Sequence, residues 1–252
     1  MDSDSDSYED IGKPLGNTLE PVVLYLSGLS VHAEAANPTP LYQFNRDIRS
    51  ITNKESSVAF ERVQHEAPEL EIGTKGAIAS TSQKQHLFYL VHPVNAQYRT
   101  DIPARYYITS AVPEMVGNIR LETFESRFQK KSFKAMLSPK RTYSDKPLFN
   151  EGTQQSLLFD IHQNRKTGRN CYKWSDSNGI QVAVEEKEDD RYKLSITGTL
   201  SQELKDALVA TWLLRLWHDT AESKEAKREC ELSSVAVESF SMTPYVLTNF
   251  SI

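Results

Sequence analysis

The residues best able to do chemistry in this chain lie on short segments of strand-like composition. On LLFDIH, Asp160 and His162 stand two positions apart. On a strand they share one face, with Leu157, Phe159 and Ile161 on the other. A carboxylate beside an imidazole can move a proton; the same pair also suits the polar outer face of a half-buried strand. On RYYITSAV, Tyr106 and Tyr107 must point to opposite faces, and Arg105 shares its face with Tyr107 and Thr109. Trp174 stands just before the turn-rich Asp176-Ser177-Asn178-Gly179, and Tyr192 alternates with polar neighbours on RYKLSITG. Phenol, guanidinium, imidazole and indole groups around one cavity would give apolar walls with a few hydrogen-bond donors. The expected site is therefore Tyr107, Arg105 and His162 as catalytic donors, with Trp174, Tyr106 and Tyr192 holding the substrate. Ordinary core and rim packing is the competing account of each residue. The six histidines have no metal-ligand spacing, and GxSxG, HExxH, P-loop and GxGxxG motifs are absent. Neither a metal nor a cofactor is expected.

The element that must organise these residues is DALVATWLLRLW, Asp206–Trp217. From Ala207 to Trp217 only Thr211 and Arg215 are polar. A surface helix keeps a polar face; this one has almost none, so it must be enclosed. Thr199 and Gln202 match a capping box, with Ser201 as a competing cap. The segments before it read as strands, and NCYKW-SDSNG-IQVAVEE is the clearest hairpin. The expected fold is mainly β: a closed or nearly closed antiparallel barrel enclosing one hydrophobic C-terminal helix, about residues 201–218. A sandwich with its helix covered by the tail is the alternative. In a barrel the helix fills the middle, so a pocket belongs at one end, lined by Tyr107 and Trp174 with Arg105 or His162 as donor.

The chain has 252 residues, 38% hydrophobic, with net charge −5. That size suits one all-β domain, residues 20–252, preceded by an acidic, Ser-rich tail, residues 1–19, expected to be disordered. Long loops are expected at about 66–85 and 126–150, and a C-terminal extension, helical at first, at 219–252. The second loop carries seven bases (among them Lys130, Lys131, Lys134, Lys140, Arg141 and Lys146) against one acid, Asp145. The overall acidity gives no pull toward nucleic acid. The eleven-residue apolar run is too short for the roughly 20 residues of a membrane span, so no transmembrane segment is expected. The acidic start is no signal peptide. With Cys171 and Cys230 expected as free thiols, the reading is cytoplasmic. Oligomeric state is not legible.

The order of strand, hairpin, strand and terminal apolar helix resembles the tubby C-terminal-like superfamily, which includes LURP-one-related proteins and phospholipid scramblases. That resemblance implies a barrel around a buried helix, and for its phosphoinositide-binding members a basic contact surface. TPLYQFNRDI, YKWSDSNGIQVAVEE and LKDALVATWLLRLW are similar to segments of small fungal proteins, and the resemblance spans roughly residues 21–218. It extends to cofactor-free hetero-Diels–Alderases that join tropolone-type quinone methides to sesquiterpenes. It implies a hydrophobic small-molecule substrate and a cyclase of natural-product biosynthesis. A cycloaddition needs a shaped cavity and a donor to a developing charge. The alternative function is non-catalytic binding of lipid or protein.

Overall fold

The computed structural model describes residues 18–35, 38–51, 57–65, 82–100, 102, 104–126, 129–138, 155–164, 171–188 and 191–241. Among them twelve strands form a closed barrel: β2 (Val22–Ser27), β3 (Ser30–Ala33), β4 (Pro40–Phe44), β5 (Ser57–His65), β6 (Ser82–Val91), β7 (Tyr106–Ser110), β8 (Asn118–Ser126), β9 (Gln129–Ser138), β10 (Ser156–Gln163), β11 (Tyr172–Ser175), β12 (Gln181–Glu188) and β13 (Arg191–Ile196). Each pairs antiparallel with its neighbours in the chain, and β13 closes the circle on β2, Ile196 opposite Val22 and Tyr192 opposite Leu26. Closure removes exposed strand edges. Two short strands, β1 (Thr18–Leu19) and β14 (Leu200–Ser201), pair outside it. The long helix, α1 (Gln202–Ser241), follows β14 directly, and its side chains are described as far as Ser223.

The helix threads the barrel. Every residue from Asp206 to His218 is buried, including Leu208, Trp212, Leu213 and Leu216, so the missing polar face is explained by strands on all sides. Inward residues such as Val31, Phe60, Ile108, Phe133 and Ile161 complete the core. Thr211 satisfies itself by donating its hydroxyl to the Ala207 carbonyl at 2.7 Å. The chain enters α1 after β13, which defines an entrance end. The opposite end, where the helix leaves, is the exit. In an up-and-down barrel successive connections alternate between the two ends. The β6–β7 connection therefore lies at the exit and the β11–β12 hairpin at the entrance.

Three boundaries differ from the expectation. Gln129–Ser138 is strand β9, within the expected loop 126–150. Its lysines mask a period-two pattern in which Phe133 and Ala135 point inward. Lys134 lies opposite Glu122 and Asp160 across the sheet, a pairing of opposite charges that suits a ladder. Lys140, Arg141 and Lys146 lie outside the described residues. Ser82–Gln85 belong to β6 rather than to the expected loop 66–85, because they pair with Arg62–His65. Thr18 and Leu19, assigned to the tail, pair with β14; the rest of that tail lies outside the described residues. The helical extension beyond Trp217 continues to Ser241, and 242–252 are not described. Cys171 is a free, buried thiol, whereas the Cys230 side chain lies outside the described residues. Among the described residues no helix is long and apolar enough to cross a membrane.

Candidate functional site

At the exit, His218 stands 2% exposed at the floor of a recess of about 350 Å³, lined also by Arg105, Tyr106, Leu121, Thr123 and Glu222. Four elements bring the set together. Helical spacing puts His218, Asp219 and Glu222 around one turn of α1. Strand alternation points Leu121 and Thr123 of β8 inward, and β7 supplies Tyr106. The His218 ring is held on several sides. Nε2 lies 2.9 Å from Glu222 Oε1 and 3.2 Å from Thr123 Oγ1; Nδ1 lies 3.4 Å from Asp219 Oδ1. A carboxylate only accepts, so a proton on Nε2 is donated to Glu222. The Tyr106 ring lies 4.8 Å from His218 and is stacked on His92 at 4.1 Å. His92 Nδ1 lies 2.8 Å from the Arg105 carbonyl, which can only accept, so that nitrogen carries the proton.

Charge in this cluster is dense and mostly paired. Arg215, 2% exposed, donates from Nη1 to Asp219 Oδ2 at 2.6 Å and from Nη2 to Glu185, and its guanidinium lies over the Tyr172 ring at 4.2 Å. Burial disfavours its charge, but the two carboxylates more than restore it and its pKa is raised. Burial outweighs the charge and hydrogen bond of Arg215 and the nearby Trp174 N–H at Glu185 and pushes its carboxyl up to about 7. Asp219 and Glu222 go the other way. Burial raises both, yet His218 with Arg215 and Lys131 holds Asp219 down at about 2, and His218 with Lys131 holds Glu222 there too. Lys131 Nζ reaches inward to Glu222 at 2.8 Å and Asp219 at 3.7 Å.

A second polar cluster sits at the entrance. Asp206 Oδ1 accepts from Tyr42 Oη at 2.8 Å and from Gln202 Nε2 at 2.6 Å; Oδ2 accepts from Arg62 Nη1 at 2.7 Å. Arg62 Nη2 donates to Gln85 at 2.7 Å. A recess of about 330 Å³ opens beside it, lined by Leu41, Tyr42, Arg62, Val63, Gln64, Gln202 and Lys205.

The expected site residues divide between the ends. Arg105 and Tyr106 line the exit recess, Arg105 exposed at its mouth. Tyr107 points to the opposite face of β7 from Tyr106 and is buried, but does not line the recess. Trp174 is fully buried beside Phe159, on the strand that runs toward the entrance hairpin, and does not line the exit recess. His162 is on the outer face, its side chain 60% exposed, 2.9 Å from Asp160; the polar-face reading of that pair is what the barrel displays. Tyr192 packs partly buried against the core, with Lys187 over its ring at 5.1 Å. The residues not foreseen are His218, Thr123, Glu222, Glu185 and Asp219. One signal was present: Arg215, the lone charge between Ala207 and Trp217, required a buried acid, although nothing local named Glu185. Among the described residues no cluster of His, Cys, Asp and Glu is placed to hold a metal ion.

No family model matches the chain, and neither a curated protein nor a solved structure matches it.

Proposed function

We propose that the exit recess binds a small organic molecule through an oxygen function and promotes its cyclisation without a cofactor, as in a hetero-Diels–Alder reaction of a quinone methide with an alkene. Such a step forms one C–C and one C–O bond and expels nothing, so the protein has only to orient two partners and polarise the carbonyl of the heterodiene. The observation that carries this reading is His218: an imidazole, buried and held by Thr123, Asp219 and Glu222, at the floor of the recess with Tyr106 beside it. Its ring nitrogens already face Glu222 and Asp219, so His218 fixes the floor of the recess, and the group placed to meet developing negative charge is the Arg105 guanidinium. Arg105 supplies a cation at the mouth, and Leu121 an apolar wall. At about 350 Å³ the recess lies at the small end of ligand pockets, so one partner is enclosed and the other meets it from outside.

The competing lipid-binding reading draws on the basic run. Lys131, a member of that run, is turned inward onto Asp219 and Glu222, which favours the small-molecule reading. The test is to generate an ortho-quinone methide in the presence of a terpene alkene and follow rate and enantiomeric composition. Wild-type protein is expected to give one enantiomer above the background rate, with Arg105→Gln, at the exposed mouth, slower by roughly 10- to 1,000-fold at unchanged melting temperature. Racemic product at the background rate with wild-type protein would reject the proposal, and salt-sensitive cosedimentation with anionic vesicles would replace it.

A further inference from the structure

The entrance recess has chemistry of its own, independent of the reading just given. Lys205 and Arg62 both line it. Arg62 is neutralised by Asp206, whose oxygens already accept three hydrogen bonds, from Tyr42, Gln202 and Arg62 itself. Lys205 is different. It is half-buried, and among the described residues its ammonium makes neither a hydrogen bond nor an ion pair. Burial lowers its pKa and only the through-space influence of Asp206 opposes that. Arg62 Nε is buried and, among the described residues, has no partner. Leaving a desolvated cation and a buried N–H without acceptors is costly. Around these donors stand the side-chain amides of Gln64 and Gln202 and the aliphatic Leu41 and Val63.

We propose that this recess is a binding site for a monoanionic carboxylate carrying an apolar body. The carboxylate would accept from Lys205 Nζ, and the apolar body would lie along Leu41 and Val63. One formal positive charge, that of Lys205, remains after Arg62 and Asp206 cancel. That matches a monoanion better than a phosphate dianion, and the aliphatic wall gives an organic body something to bury against. Three of the roughly four lone-pair sites of Asp206 are taken by donors, and Arg62 balances its charge.

The probe is 2-naphthoate, with its neutral analogue 2-naphthylmethanol and inorganic phosphate as comparators, titrated into the full chain by calorimetry. The expected result is saturable one-to-one binding of 2-naphthoate, at least about tenfold tighter than the alcohol, as one charge-assisted contact provides. Lys205→Met, which keeps the stem, should weaken it by about tenfold or more, while Lys205→Arg retains it and His218→Gln, at the far end, leaves it unchanged. The carboxylate-against-alcohol comparison uses wild-type protein, so it stands even if a variant folds poorly. Equal affinity for alcohol and carboxylate, absence of binding, displacement by millimolar phosphate, or unaltered binding in a folded Lys205→Met would each overturn the proposal.

Discussion

Replacing Glu185 by Gln should make the stability of the protein less dependent on pH between 5 and 8, and the size of the change follows from its position. The carboxyl is enclosed by the barrel, held by Arg215 on one oxygen only, and pushed from its ordinary 4.5 up to about 7. Between those values the native state keeps a proton that the unfolded chain has lost. Stability from this group is therefore fully present below about pH 4.5 and disappears as pH rises through about 7. At about 1.4 kcal/mol per pKa unit, the shift amounts to about 3 kcal/mol, most of it released between pH 5 and 8. Gln cannot titrate, and Arg215 keeps Asp219 as a partner in the variant. Groups common to both proteins cancel in the difference. The assay is urea unfolding of wild type and Glu185→Gln at half-unit steps of pH. With a slope near 3 kcal/mol per molar urea, the gap between midpoints should change by roughly 1 M across the window, in favour of Gln at high pH. A gap that stays constant would mean that Glu185 is ionised throughout and that Arg215 outweighs its burial, refuting the reasoning.

The acid side has the opposite sign. Asp219 and Glu222 are held down at about 2, so the stability they contribute is present above about pH 4 and lost as pH falls toward 2; Asp219→Asn should flatten that loss in acid-unfolding curves. Trp212, fully buried in the threaded helix, should cost about 3–5 kcal/mol when replaced by Ala. Among the described residues its Nε1 has no hydrogen-bond partner, so Trp212→Phe, which removes that donor and keeps a ring, should cost less than about 2 kcal/mol by chemical denaturation. Because Tyr107 does not line the exit recess, Tyr107→Phe should leave ligand affinity there within about twofold, whereas Tyr106→Ala, which removes a wall of the recess, should weaken it more than about tenfold by titration.

What the sequence could say by itself was carried by local periodicity. A helix of eleven residues with only Thr211 and Arg215 polar has no side to offer water, and that alone implied enclosure by strands. Alternation likewise placed Asp160 with His162 opposite Phe159 and Ile161, and separated Tyr106 from Tyr107. Periodicity does not report how far along the barrel axis a residue lies, nor which strands end up facing across it. Those follow from twelve registers and from the axial position of α1, which are settled together when β13 closes on β2. Only that closure sets Trp174 and Arg105 toward opposite ends, seats Glu185 of β12 against Arg215, and brings Thr123 and Tyr106 to His218 across more than ninety residues of chain. The basic run shows the same limit at one strand: charge density concealed the alternation of β9, and the buried acids that draw Lys131 inward lie on a helix that local sequence cannot see.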